Sequence, residues 1–140
     1  MLPEAATKAT EAGARAFITY YWDLINYAQV TGDVKPLKGV SGPNCAGCNA
    51  GITGIGQHYR DGGRVVGGTH QVEVENVTEL TTKSQSAFGF EATVFASHDA
   101  QTIVASDGTQ DQRDPGTDEF TVYLLWVDAE RWRLDVMEIQ

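Results

Sequence analysis

Apolar residues in the first quarter of the chain recur at helical spacing. Ala14, Phe17, Tyr21, Leu24 and Ala28 follow one another at intervals of three and four, and Ile18, Trp22 and Ile25 widen the stripe on one side. Thr19, Asp23 and Asn26 are left for the remaining face. The pattern predicts a helix from Pro3 to Val30, with Pro3 in the first turn and Glu4 and Glu11 near its positive end. An apolar surface this broad predicts a helix clasped by a curved sheet rather than laid on a flat one. "TGD" at 31–33 ends it, with Gly32 as a left-handed cap and Asp33 opening a short second helix through Leu37 and Lys38. Asn44 is the expected cap of a third helix through Ile52, Ile55 and Tyr59, stopped by "DGG" at 61–63. Four glycines in that helix, at 47, 51, 54 and 56, each cost up to about 1 kcal/mol against alanine, a cost consistent with close approach of the helix to a neighbour.

From residue 63 onward the period changes from 3.6 to two. Val72 and Val74; Phe88, Phe90, Ala92, Val94 and Ala96; Ile103; Phe120, Val122, Leu124 and Trp126; and Trp132, Leu134 and Val136 each fall on one strand face. Four or five strands are expected, with turns at "SDG" (106–108) and "DAE" (128–130). The run "FTVYLLWV" is apolar at odd and even positions alike, which predicts a central strand covered on both sides. The acidic, polar stretch "DGTQDQRDPGTDE" (107–119) reads as a mobile loop. Helices over 1–61 followed by antiparallel strands over 63–140 give an α+β fold in one domain, with N-terminal helices packed on a strongly bent antiparallel sheet.

Composition narrows the function classes. The chain has 140 residues, 41% of them hydrophobic, enough for one compact core. A net charge of −9 with only ten Lys and Arg excludes phosphate-rich nucleic acid as a partner and sets the protein against an anionic membrane surface. No apolar run approaches the length of a membrane-spanning helix. An export signal, if the protein has one, is not within this numbering.

The two cysteines, Cys45 and Cys48, stand in "GPNCAGCNAG". A structural zinc site wants four ligands, and His58, His70 and His98 are too scattered to complete one, so no metal or other cofactor is expected. A thiol–disulfide centre would suit the N-terminus of the third helix, whose dipole lowers a thiolate pKa. Such centres follow a strand in a βαβ unit, however, and this one follows a helical corner. The favoured reading is a disulfide within one helical turn, formed in an oxidising, extracytoplasmic setting and worth about 2 kcal/mol.

Other residues with chemical potential carry bland readings beside the sharp ones. Asp23, next to Tyr20 and Tyr27 on the aromatic helix, is the one weak candidate for a general base, against a solvated polar-face role. His98 and Asp99 resemble a dyad fragment but fall where one strand gives way to the next. Arg60 and Arg64 could meet an anion, although a charge cluster there more often caps a helix end.

"AFITYYWDLINYAQVTGDVKPLKGVSGPNCAGC" (16–48), "YRDGGRVVGG" (59–68) and the closing "WRLDVMEI" resemble a family of uncharacterised bacterial lipoproteins. The family is similar in layout to the nuclear-transport-factor-2-like, or cystatin-like, cone: a long helix, two shorter ones and a bent sheet around a cavity. The resemblance implies an extracytoplasmic protein, secreted or held to the membrane only by a lipid anchor on a cysteine outside this numbering. It implies no chemistry. The expected function is therefore non-catalytic binding of a small apolar molecule, or of a protein or cell-wall partner, with homodimerisation possible. Tyr20, Trp22, Tyr27, Phe95 and Trp126 are the candidate cavity or interface positions. The alternative is a small cone-fold isomerase, cyclase or dehydratase using a pocket acid or histidine.

Overall fold

The computed structural model describes residues 2–81, 88–127 and 131–140. A single 3₁₀ turn, Glu4–Thr7, precedes the long helix α1, Glu11–Thr31. The helix predicted from Pro3 thus starts later, at the point where Thr10 is extended and its side chain accepts a hydrogen bond from the Gly13 N–H. Gly32, with φ +77°, ends it as predicted and donates its N–H to the Ala28 carbonyl. Helix α2 is Lys35–Gly39, and helix α3 is Ala46–Arg60. The cap of α3 is Cys45 rather than Asn44: the Cys45 Sγ accepts from the Cys48 N–H at 3.2 Å.

The strands are β1 Arg64–Gly67, β2 His70–Thr81, β3 Phe88–His98, β4 Gln101–Val104, β5 Gln110–Arg113, β6 Gly116–Val127 and β7 Arg131–Ile139. They form two antiparallel sheets, in the orders β2-β3-β6-β7 and β1-β4-β5. The small sheet continues the large one. β1 runs into β2, β3 into β4 and β5 into β6, and the order β1-β4-β5 repeats β2-β3-β6 across a sharp fold in the chain at 68–69, 99–100 and 114–115. The predicted bent antiparallel sheet is realised in this way. Backbone bonds from the Gly68 N–H to the Ala100 carbonyl and from the Asp99 N–H to the Thr69 carbonyl hold the corner. Gly67, φ +73°, is required there because a Cβ would come within 2.5 Å of the Ala100 carbonyl oxygen.

Three sequence expectations for the sheet are corrected. The polar stretch 107–119 is not a loop throughout: β5 and the first residues of β6 lie in it, because a strand at the rim of a sheet can be polar on both faces. Val136 does not share a face with Trp132 and Leu134. The register with β6 slips between Tyr123 and Leu124, leaving Asp135 unpaired, so that Val136 lies opposite exposed Tyr123 while Met137 turns inward opposite buried Val122. The "FTVYLLWV" strand is central, but among the described residues no second layer covers its outer face, where Tyr123 is exposed. The predicted "DAE" turn lies outside the described residues.

The core forms where α1 meets the inner face of the large sheet. Phe17, Ile18, Tyr21 and Trp22 are buried against Phe90, Val94, Val122, Leu124 and Leu134, and Trp22 meets the Phe120 ring at 5.5 Å. What α1 leaves outside is a stripe through Thr19, Asp23, Tyr27 and Val30, spaced by four, four and three. Asn26, assigned by periodicity to that polar face, instead points inward to β2. The segment after α2 adds a strand-like edge. Ser41 pairs in parallel with Leu134, whose N–H and carbonyl bond to the Val40 carbonyl and the Gly42 N–H.

Candidate functional site

A cavity of about 490 Å³ opens in the crook between α1, α3 and the folded sheet. Trp22, Ile25 and Gln29 come from α1, Ile103 and Gln101 from β4, His70 from β2, Phe120 from β6 and Met137 from β7. Helix α3 forms the remaining wall with Gly47, Gly51, Gly54 and Ile55, among others. The glycine spacing of four and three places 47, 51 and 54 on one helix face. Their duties differ. A Cβ on Gly47 would approach the Met137 carbonyl oxygen to 2.2 Å, so this glycine lets the helix lie against β7; a Cβ on Gly51 or Gly54 would meet nothing. Gly51 and Gly54 are exposed and line the cavity without a side chain.

The Cys45–Cys48 disulfide closes the first turn of this wall. It is formed in the structure, both residues are buried, and Cys48 lines the cavity. Tyr59, farther along α3, donates its hydroxyl hydrogen to the Gln29 carbonyl and receives the Val65 N–H at 3.3 Å, tying α3 to the end of α1 and to β1.

His58 lines the cavity from α3, its Nε2 2.9 Å from the Arg64 carbonyl oxygen. Gln29, His70 and Gln101 line both the apolar cavity and a polar cleft of about 340 Å³ whose other walls are His98, Arg113, Asp114 and Asp118. The His70 and His98 rings face each other across paired strands with centroids 5.7 Å apart. Burial, and then the neighbouring charge of His98, hold the His70 pKa below the ordinary 6.5, with Asp118 pulling the other way. His70 is accordingly a neutral imidazole at neutral pH. Its Nδ1 and the Oε1 of Gln29 are buried without a hydrogen-bond partner among the described residues. No carboxylate lines the apolar cavity among the described residues.

The candidate positions read from sequence scatter around this site. Trp22 is in the cavity wall. Tyr20 lines a smaller hollow of about 240 Å³ near Leu2, Phe17 and Trp132. Tyr27 is exposed, its hydroxyl donating to Asp33 at 3.3 Å. Phe95 lies on the outer sheet face, in register with Glu73 and Glu119. Trp126 packs on Trp132 with ring centroids 5.0 Å apart and lines no part of the cavity. Asp23 is exposed on the solvent stripe, one residue and about 100° around the helix from Trp22. His98 and Asp99 form no side-chain dyad: the His98 Nδ1 is 3.1 Å from the Asp99 backbone carbonyl. Arg60 bonds Gln57 at the end of α3, Arg64 is exposed, and neither lines the cavity. Gln29, His70, Gln101 and the two open glycines were missed. The signal was present for Gln29 and His70: each is a polar residue interrupting an apolar period, Trp22–Ile25–Gln29 on the helix and His70–Val72–Val74 on the strand.

With the geometry in hand, comparison with known proteins identifies the family and the fold. Residues 1–138 match the model of a family of unknown function, DUF6318, and the chain belongs to that family. No functionally curated protein matches it. Among solved structures, the chain is similar to the intermembrane-space region of the chloroplast protein ARC6, at 14% identity and a TM-score of 0.61 over 93% of this chain and 96% of that one. It is also similar to Aln2 from a Streptomyces species, at 12% identity and a TM-score of 0.52 over 95% and 93% of the two chains. A protein from Catenulispora acidiphila gives 10% identity and a TM-score of 0.52 over 93% and 92%. At these identities the likeness is one of fold: an α+β cone of helices clasped by a bent antiparallel sheet.

Proposed function

We propose, for this member of a family of unknown function, a non-catalytic role: binding a small, largely apolar molecule in the cavity between α1, α3 and the folded sheet. The observation that carries the reading is the cavity itself, about 490 Å³ bounded by Trp22, Ile25, Ile55, Ile103, Phe120 and Met137. That volume lies in the range of small-molecule sites, which are apolar and largely pre-formed. The setting we infer is extracytoplasmic, where a disulfide such as Cys45–Cys48 persists. A lipid anchor outside this numbering would hold the domain at a membrane surface.

The catalytic alternative has less support. Acid–base chemistry in a cone needs a proton acceptor facing the substrate, and Asp23 faces solvent instead. His70 reaches the cavity, but no carboxylate among the described residues orients it by a hydrogen bond.

The test uses the uncharged fluorescent probe N-phenylnaphthylamine and the variants Gly51→Leu and Gly54→Leu, which place a bulky side chain on the cavity lining. Saturable fluorescence enhancement with the wild type, weakened at least about ten-fold in a variant of unchanged circular dichroism, is the expected result. Equal binding by all three proteins, or none by the wild type, overturns the reading.

A further inference from the structure

The cavity is not uniformly apolar, and the position of its polar wall specifies the molecule it takes. Resting on the binding role proposed above, we infer that the ligand is an uncharged amphipath whose apolar body lies among Trp22, Ile25, Ile55 and Phe120 and whose hydroxyl-type head lies at the wall made by Gln29, His70 and Gln101.

Three observations converge on that chemistry. The same three residues divide the apolar cavity from the polar cleft, so a molecule filling the first presents one end to the second. The Gln29 Oε1 and the His70 Nδ1 are buried within that wall without partners among the described residues, and a buried polar atom left unpaired costs about 1–3 kcal/mol, which a head group relieves once either side chain rotates to meet it. Gln29 Oε1 can only accept, while a neutral imidazole nitrogen accepts or donates according to its tautomer. A hydroxyl both donates and accepts, and so serves either arrangement.

Charge decides against ionised heads. The cleft sets Arg113 beside Asp114 and Asp118, and Arg113 is already bonded to Asp111 at 3.1 Å. A carboxylate entering there meets two like charges in a protein of net charge −9. An ammonium finds the aspartates but must give up its water at a wall whose other side is apolar, a larger cost than a hydroxyl pays. His70, kept neutral by burial, offers no fixed charge to either.

Four compounds with one ring system separate these cases: naphthalene, naphthol, naphthoate and naphthylmethylamine, titrated against the protein by nuclear magnetic resonance shift perturbation. Naphthol is expected to bind about ten-fold more tightly than naphthalene and than either ionised analogue, the gain of one well-made hydrogen bond at a buried site. Gln29→Leu is expected to erase the advantage of naphthol while leaving naphthalene binding in place. Naphthalene and naphthol binding equally, or an ionised analogue binding most tightly, overturns the head-group assignment and leaves the cavity reading standing. If none of the four binds, the cavity reading fails as well. If the folded Gln29→Leu protein keeps the preference for naphthol, Gln29 is not part of the head-group wall and the assignment is wrong.

Discussion

Asn26 grips the backbone of His70 from both sides: its Nδ2 donates to the His70 carbonyl at 3.0 Å, and its Oδ1 accepts the His70 N–H at 2.8 Å. A helix residue and a strand start 44 positions apart are thereby locked in register at the rim of the cavity. Asn26→Ala leaves both backbone groups unpaired in a half-buried place and should cost about 2–3 kcal/mol in urea unfolding. Asn26→Asp should not rescue it, because a carboxylate cannot donate to the His70 carbonyl. A loss below about 0.5 kcal/mol for Asn26→Ala would show that water replaces the clamp.

The alkaline limit of stability is set in part by Tyr21. The Ser41 hydroxyl donates to the Leu37 carbonyl at 2.8 Å, so Tyr21 is the donor in its 2.7 Å contact with the Ser41 Oγ. Burial pushes the Tyr21 pKa from 10.0 up to about 12. The unfolded chain therefore loses this proton first. The contribution to stability is full below pH 10 and is lost as the pH rises from 10 towards 12, by roughly 2–3 kcal/mol. Tyr21→Phe should be less stable at neutral pH by about 1 kcal/mol and show a flatter alkaline decline, measured by denaturant unfolding against pH.

In acid the relevant group is His70, whose folded pKa is below 6.5 through burial and the charge of His98, against the pull of Asp118. The unfolded state binds the proton more readily. Stability due to this residue is complete above pH 6.5 and falls as the pH drops below it, levelling once the folded imidazole is itself protonated. The slope of unfolding free energy between pH 6.5 and 5 should be smaller in His70→Gln than in the wild type. Identical slopes would remove His70 from the account.

The three cavity-side glycines of α3 should separate in sign. Gly51→Ala and Gly54→Ala add a Cβ into open space and recover helix propensity, so each should raise stability by up to about 1 kcal/mol. Gly47→Ala drives a Cβ against the Met137 carbonyl and should destabilise. Thermal unfolding of the three variants checks the order, and stabilisation by Gly47→Ala would contradict the close packing of α3 on β7.

Thiol titration of denatured, unreduced protein matured in an oxidising compartment should find no free thiol. The Cys45→Ala, Cys48→Ala double variant should fold but lose about 2 kcal/mol, the entropy of a very short closed loop. A loss several times larger would mean that the disulfide supports more than the first turn of α3.

Periodicity alone determined the three helices, the long strands and the fold class, while the short polar strand β5 escaped it. The α1 stripe, the Gly32 stop and the change from period 3.6 to period two are local properties of the chain, and burial of one face follows from them wherever the element is placed. Local spacing could not decide what happens where elements meet. The bulge at Asp135 exchanges Val136 for Met137 on the inner face, a slip of register that alternation cannot foretell. Asn26 looked like a solvent-face residue until β2 brought it a backbone to bind. Aromatic content pointed to Tyr27, Phe95 and Trp126, which tertiary packing sends to solvent, to the outer sheet face and against Trp132. The cavity is lined by Gly51 and Gly54 of α3 together with residues from α1, β2, β4, β6 and β7. A void is a property of several elements at once, so only the assembled fold could define it.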